Sequence, residues 1–175
     1  MVYPSSIPDV RQGRAQVDAE LAGFYAGTMF YTFLPVNIAA EASLTVKLAR
    51  TCNIIIRQFR LELTAGDYSA NIYRGGTESG TWTAGTVYPR NAMTNRPAPT
   101  YASQASVGYG GTVAGGTLID QLRVKVSGAS GQATSVGQTN DDMYGGPAGT
   151  AYYVLTNNDS GAGVGFLHIL WEELP

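Results

Sequence analysis

The chain has 175 residues and a formal net charge of −2 at pH 7, so it fits one domain and is not expected to carry a concentrated basic surface for nucleic acid. Only 14% of its residues are charged, against roughly 25% in typical domains, while glycine is abundant at 22 residues. The single cysteine, Cys52, excludes an intramolecular disulfide and a cysteine-based zinc site.

Residues 1–27 differ from the rest and are predicted to form an extended N-terminal arm. The stretch "RQGRAQVDAELAG" predicts a short helix that ends at Gly23, with Val17 and Leu21 four residues apart. The arm either packs on a neighbouring molecule or is a loosely ordered terminus. It lacks the features of a secretory signal, and no part of the chain reaches the ~18 apolar residues of a membrane span. We therefore expect synthesis in a cytoplasm and no membrane partner.

Residues 28–175 are predicted to form one β domain, because short alternating runs follow one another between glycine-rich turns. The run "TMFYTFLPV" is expected to close at Pro35, and "NIIIRQFRLEL" alternates except at Arg57, which predicts a twist or bulge there. The remaining runs are "SLTVKLAR", "YSANIYRG", "GTWTAGTVYP", "TYASQASVGYGG", "TLIDQLRVKVSG", "AYYVLTNN" and "GVGFLHILWEE".

About eight strands with almost no helix predict an all-β fold, either a sandwich or a closed barrel. We favour an antiparallel β-sandwich, jelly-roll-like in its connections. In "TLIDQLRVKVSG" the apolar side chains at Leu118, Leu122, Val124 and Val126 are predicted to share one face. In the last run, Val164, Phe166, His168 and Leu170 are predicted to lie on one face, and Leu167, Ile169 and Trp171 on the other.

Two acidic clusters are candidate metal loops. The segment Asn157-Asn158-Asp159 carries a single carboxylate, whereas a calcium site needs about six or seven oxygen ligands, so the turn of a β-hairpin is the preferred interpretation. Asn140, Asp141 and Asp142 are the better metal candidate, yet the Gly-Gly-Pro that follows indicates an exposed loop. No metal ligand is assigned to either cluster.

Residues that would carry catalysis are scarce. His168 is the only histidine, and its place within a strand favours a sheet-face role over catalysis. Cys52 stands just before an apolar run, where a buried inert thiol is favoured over a nucleophile. The chain contains no G-x-S-x-G, H-E-x-x-H or phosphate-loop motif. We therefore predict no enzyme, no catalytic residue and no cofactor.

Aromatic side chains are the remaining candidates for contact with a partner. Trp82 and the pair Tyr152-Tyr153 could stack on sugar rings, bind protein, or fill the core. The residues predicted to contact protein lie in the arm and in two loops at 75–85 and 138–149: Tyr3, Val10, Val17, Leu21, Trp82 and Tyr144.

The order of several motifs resembles small β-sandwich virion proteins of tailed bacteriophages, of the head-decoration and cement type. The resemblance covers roughly residues 28–173 and rests on turn and strand signatures: "IYRGGTESGTWT", "MTNRPAPTYASQ", "GGTLIDQLRVKVSGASGQATSVG" and "GPAGTAYYVLTNNDSGAGVGFLHILWEE". The N-terminal arm shows no such likeness. No catalytic residue carries over from the family pattern.

The resemblance implies a non-enzymatic structural protein, made in the host cytoplasm, that lies on the capsid exterior of the virion. Its expected partners are the major capsid protein or other virion proteins, and a homo-oligomer, with a trimer favoured, is expected at the local symmetry axes. The alternative is a host-receptor or carbohydrate-binding module on a phage tail or fibre. A glycan hydrolase is a weaker third hypothesis.

Overall fold

The structure is a computed structural model that describes residues 24, 26–90, 101–125, 134–138, 145–146 and 148–174. Several predictions lie outside these ranges, including the short helix of the arm and the cluster at Asn140–Asp142. Five of the six predicted contact residues also lie outside them, namely Tyr3, Val10, Val17, Leu21 and Tyr144. Within the described part, the chain is all-β.

Fourteen strands are present in the described ranges, more than the eight or so expected from the sequence. They are β1 (Met29–Ile38), β2 (Ser43–Arg50), β3 (Asn53–Leu63), β4 (Asp67–Arg74), β5 (Thr77–Ser79), β6 (Thr83–Gly85), β7 (Tyr88–Pro89), β8 (Ala105–Tyr109), β9 (Thr112–Ala114), β10 (Thr117–Lys125), β11 (Thr134–Gln138), β12 (Gly145–Gly146), β13 (Gly149–Asn157) and β14 (Gly163–Leu174). The excess consists mostly of strands of two or three residues, which are too short to show alternation in a sequence.

The strands form two six-stranded antiparallel sheets and one small ribbon. Sheet I has the order β11-β3-β14-β1-β7, with β12 also paired to β3, and sheet II has the order β10-β4-β13-β2-β8-β6. The ribbon is the pair β5–β9. Four long pairs are nested along the chain, because β1 pairs with β14, β2 with β13, β3 with β11 and β4 with β10.

Both sheets contribute to one hydrophobic core, which confirms the predicted antiparallel sandwich. Leu167 and Ile169 of sheet I and Val46 and Leu48 of sheet II are each 0% exposed. Phe59 of sheet I stacks on Tyr153 of sheet II, with ring centroids 5.3 Å apart and planes at 11°. Of the two faces predicted for β14, the one that carries Leu167 and Ile169 therefore meets the opposite sheet.

The irregularity predicted at Arg57 is confirmed as a bulge in β3. Leu170 of β14 is opposite Gln58, but the next residue, Trp171, is opposite Ile56, so Arg57 has no register partner on β14. A bulge inserts one residue and reverses the inward and outward alternation beyond it. The Arg57 side chain can therefore point away from the core and form an ion pair with Glu172.

A second bulge corrects the prediction for β10. The register jumps between Leu118 and Asp120, which leaves Ile119 without a partner on β4. Leu118 consequently leaves the face shared by Leu122 and is 50% exposed, while Ile119 is 40% exposed. A regular alternation in sequence does not reveal a bulge whose extra residue is itself apolar.

The prediction that β1 closes at Pro35 is also wrong, because the strand continues to Ile38. Pro35 is opposite Phe166 of β14, whereas β7 pairs with β1 only at Phe30 and Tyr31. At Pro35, β1 is therefore an edge strand within the described part of the chain. An edge strand tolerates proline because one side of its backbone needs no N–H donor.

We expect Gly165→Ala to destabilise the sandwich strongly. A Cβ at Gly165 would lie 1.7 Å from the backbone oxygen of Glu62 on the paired strand, so the two strands would have to separate. The expected loss in the free energy of unfolding is about 3 kcal/mol or more, measured by urea denaturation. Gly161→Ala is the matched control, because nothing lies within 4 Å of a Cβ there. Equal stability of the two variants would contradict this strand contact.

Candidate functional site

The segment Asn157-Asn158-Asp159 forms the turn between β13 and β14, as predicted. Asn157 is 0% exposed. Its Nδ2 donates hydrogen bonds to the backbone oxygens of Ile38, Ala39 and Gly161 at 3.1, 3.2 and 2.7 Å, and its Oδ1 accepts one from Asp159 N at 3.0 Å. The bonds to Ile38 and Ala39 hold the β13–β14 turn against the end of β1, and the bonds with Gly161 and Asp159 close the turn itself.

Asp159 ties the same turn to the loop between β3 and β4. Its Oδ2 accepts a hydrogen bond from Gly66 N at 2.9 Å, and its Oδ1 accepts one from Ser160 N at 2.8 Å. These hydrogen bonds from backbone N–H groups, with the larger effect from Gly66 and a smaller one from Ser160, hold the pKa of the Asp159 carboxyl below its usual value. Both oxygens of the segment's single carboxylate are thus used by backbone N–H groups.

A buried glutamate, Glu173, joins the end of β14 to the segment that precedes β8. It is 1% exposed. Its Oε1 accepts hydrogen bonds from Ser103 Oγ, Trp171 Nε1 and Ala105 N at 2.6, 3.1 and 3.2 Å, and its Oε2 accepts one from Gln104 N at 2.8 Å. Four donors on one carboxylate offset the cost of removing its charge from water. Because β14 belongs to sheet I and β8 to sheet II, the cluster links the two sheets.

Two further titratable groups lie next to Glu173. Burial, followed by the charge of Glu173, raises the pKa of Tyr101 to about 12. The same two causes raise the pKa of the Cys52 thiol above its ordinary value. A reactive cysteine needs a lowered pKa, so this environment favours the inert thiol over the nucleophile.

Trp82, the one predicted contact residue in the described part, is engaged within the chain. A Cβ at Gly111 would lie 2.2 Å from its indole, and Lys47 Nζ lies 4.5 Å from the centroid of its ring. Its Nε1 is buried without a hydrogen-bond partner. Lys47 Nζ in turn donates to Glu78 Oε2 at 2.7 Å. The indole thus packs the β5–β9 ribbon onto the outer surface of sheet II.

The tyrosines considered for sugar stacking are buried. Tyr152 is 3% exposed and Tyr153 is 2% exposed. Tyr152 OH donates to Glu78 Oε1 at 2.9 Å beneath the ribbon, and Tyr153 stacks on Phe59 in the core. Neither ring offers a free face to a ligand.

The outer surface of sheet I carries a cluster of aromatic rings that the sequence did not single out as a site. We call it the aromatic face and define it by side chains that point away from the core on β1, β7 and β14: Tyr31, Phe33, Tyr88, Val164, Phe166 and His168. Phe33, Tyr88 and Val164 are 47%, 42% and 52% exposed. They are three of the six large apolar residues exposed in the described ranges, the others being Leu118, Ile119 and Leu174, and they include both of the exposed aromatic rings.

The rings of the aromatic face are packed against one another in pairs. The centroids of Tyr31 and Tyr88 are 5.2 Å apart with planes at 24°, and those of Phe33 and Phe166 are 4.9 Å apart with planes at 31°. His168 lies 5.7 Å from Tyr31. Register explains the arrangement, because Tyr31 is directly opposite Tyr88, while His168 and Phe166 are the diagonal neighbours of Tyr31 and Phe33 on the same side of the sheet.

Arginines border the rings. Arg60 lies opposite His168 on β3, and its guanidinium is 5.6 Å from the centroid of Phe166. It also pairs with Glu62, and Arg57 pairs with Glu172. Arg90, just after β7, is exposed. Across the described part of this surface, three arginines face two glutamates, which leaves one positive charge in excess on a chain of net charge −2.

His168 lies in a basic environment. Burial, followed by the charges of Arg60 and Arg90, lowers its pKa below the ordinary histidine value. A catalytic histidine is commonly oriented by a carboxylate on its second nitrogen, whereas the neighbours acting on His168 are cations and the ring of Tyr31. The position agrees with the sheet-face role predicted for it.

Within the described ranges, no three His, Cys, Asp or Glu side chains come together in a group that could hold a metal ion. No helix in the same part of the chain is long and apolar enough to cross a membrane. Comparisons of the chain with family models, curated proteins and solved structures find no match. The resemblance of the quoted motifs to phage virion proteins therefore stays a prediction.

We expect Glu173→Gln to lower the free energy of unfolding by about 2–4 kcal/mol, because an amide NH₂ would face N–H or O–H donors in the cluster. Chemical denaturation at pH 7 measures the change. Glu41→Gln removes the same charge from an exposed turn and is expected to cost less than about 0.5 kcal/mol. A Glu173→Gln variant as stable as the wild type would show that the four donors do not depend on the carboxylate.

The turn is expected to make the protein sensitive to acid. A lowered pKa for Asp159 in the folded state contributes stability above the unfolded value of about 3.9, and that contribution is lost as the pH falls toward the folded value. Asp159→Asn should therefore have a lower Tm than the wild type at pH 7, with a difference that shrinks below about pH 4. Thermal unfolding of both proteins at pH 7 and pH 3 measures this, and a constant difference would contradict the assignment.

Proposed function

We propose that this protein is a non-enzymatic structural component of a tailed-bacteriophage virion that binds the capsid exterior and stabilises neighbouring capsid subunits. The observation that carries the proposal is the aromatic face, an exposed and largely apolar surface on a rigid sheet in a chain of few charges. Aromatic residues and arginine are enriched where proteins bind one another, whereas most other charged residues are depleted there. The motif resemblance supports the choice of a capsid as the partner.

The form of the aromatic face favours protein over sugar as its ligand. Sugar stacking uses the flat face of a ring, and here part of each ring packs against a neighbouring ring, Tyr31 with Tyr88 and Phe33 with Phe166. Paired rings together make a broad, largely apolar surface of the kind that protein partners cover. Together with the burial of Tyr152 and Tyr153, this geometry gives no specific support to a carbohydrate-binding module.

The polar clusters support a structural role over an enzymatic one. Glu173 is saturated by four donors, Asp159 by backbone N–H groups, and His168 lies beside two arginines. A general acid or base needs a titratable group that can reach a substrate. In the described residues, the best-placed candidates are committed to holding the fold together.

The proposed fold class is a jelly roll. Four nested pairs join the first strand to the last, the second to the next to last, and so on inward, which folds the chain as one long antiparallel hairpin. Taken from the outermost pair inward, the four pairs alternate between sheet I and sheet II. This winding supports the jelly-roll assignment, since jelly rolls are double sheets of eight strands and occur in viral capsid domains.

The proposed mechanism is stabilisation by mass action. A protein that binds the assembled lattice and not its dissociated subunits stabilises the lattice by RT ln(1 + [L]/Kd) for each site, or about 2.7 kcal/mol at a concentration of 100 Kd. A homo-oligomer, with a trimer favoured, would multiply the contacts at a symmetry axis. Location on the virion exterior follows from the same proposal.

The test is co-sedimentation with capsid shells from the phage that encodes the chain. We expect the purified protein to pellet saturably with assembled shells, to stay in the supernatant with dissociated capsid subunits, and to raise the temperature at which shells rupture. Electron microscopy of decorated shells would count the copies bound. Failure to pellet with shells at any concentration would overturn the proposal, and binding on a glycan array would favour the carbohydrate-binding alternative.

A further inference from the structure

The aromatic face differs from the outer surface of sheet II in a way that points to a particular ligand. The outer surface of sheet II is partly covered by the β5–β9 ribbon at Lys47, Tyr152 and Trp82, and its exposed large apolar residues are the aliphatic Leu118 and Ile119 of the edge strand β10. On sheet I, by contrast, Phe33, Tyr88 and Val164 keep about half of their surface exposed. Burying apolar area of this kind yields roughly 25 cal/mol per Å², so a protein partner gains free energy by covering the paired rings of sheet I.

The charges at the border of the rings indicate which charge that partner should carry. In the part of the chain that the structure describes, Glu62 neutralises Arg60 and Glu172 neutralises Arg57 with a hydrogen bond of 3.0 Å from Arg57 Nε, which leaves the excess positive charge of this surface at Arg90. Arg90 and Arg60 both lie close enough to His168 to act on it electrostatically. A carboxylate brought to this part of the face would meet a favourable potential, whereas a cation would not.

We propose that the aromatic face is the capsid-docking surface and that its ligand is a capsid-subunit segment carrying apolar side chains beside a carboxylate. The apolar side chains cover the Phe33–Phe166 and Tyr31–Tyr88 pairs, and the carboxylate pairs with Arg90. This inference rests on the proposed function, because it assigns that function to one surface and one kind of partner.

Other occupants fit the face less well. A second copy bound through the same face about a two-fold axis would bring two surfaces with the same positive excess together, which costs free energy. Nucleic acid binding needs many phosphate contacts, and a single excess charge supplies about one. A capsid segment of complementary charge has neither difficulty.

The experiment measures the affinity of purified variants for capsid shells by co-sedimentation. Phe33→Asp places a charge among the rings and is expected to weaken binding at least about tenfold, as loss of an aromatic anchor does. Its matched control is Leu118→Asp, which makes the same kind of change at an equally exposed apolar residue of sheet II. The control is expected to bind within about twofold of the wild type. Because both residues are exposed, circular dichroism and Tm should show that both variants fold.

The role of the positive charge at Arg90 is tested with a separate set of variants. Arg90→Glu is expected to weaken binding about tenfold and Arg90→Gln less, with a smaller salt dependence for Arg90→Gln than for the wild type. Arg74→Glu is the matched control, since Arg74 is an exposed arginine at the end of β4 in sheet II. It should bind like the wild type.

These outcomes distinguish a failure of the assigned docking surface from a failure of the proposed function. If the wild type binds shells and Phe33→Asp binds equally well, the docking surface lies elsewhere and the proposed function stands. If Phe33→Asp fails to bind while Arg90→Glu binds as tightly as the wild type, the acidic partner segment is wrong. If the wild type does not bind shells, the proposed function fails, and the assignment of the face fails with it.

Discussion

The register of β14 between β1 and β3 is the constraint on which the rest of this structure depends. Side chains alternate across a strand, so a shift by one residue would exchange its two faces. In the observed register, Leu167, Ile169 and Trp171 meet the opposite sheet, each at 0% exposure, and Phe166 and His168 point outward. The core and the aromatic face are therefore two consequences of one pairing.

Buried polar groups at the two ends of the sandwich help to hold that register. Asn157 anchors the turn into β14 to the end of β1, and Glu173, near the other end of β14, anchors it to the segment before β8. The bulge at Arg57 adjusts the alternation of β3 between these ends, so that apolar side chains on both sides of the bulge reach the core. Unpaired donors would be costly in such places, and this favours one arrangement of the strands over slipped alternatives.

The two outer surfaces of the sandwich are consequently different in kind. On sheet II the β5–β9 ribbon folds back over Lys47 and Tyr152, and the exposed large apolar residues are the aliphatic Leu118 and Ile119 of the edge strand β10. On sheet I the described residues leave paired rings and arginines uncovered. A chain with so few charged residues that exposes rings on a flat sheet is suited to lie against another protein, and the proposed capsid role follows from this asymmetry together with the motif resemblance.

The sequence by itself determined the all-β class, the two sets of side chains that alternate along β14, the turn at Asn157–Asp159 and the irregularity at Arg57, because alternation and turn residues are local signals. It misjudged Leu118, since the bulge at Ile119 depends on pairing with β4. The packing of the predicted contact residue Trp82 against Gly111 and Lys47 likewise depends on tertiary structure. Tertiary structure alone decided that Tyr31 and Phe33 meet Tyr88, Phe166 and His168, because these residues lie up to 137 positions apart and only strand pairing brings them together.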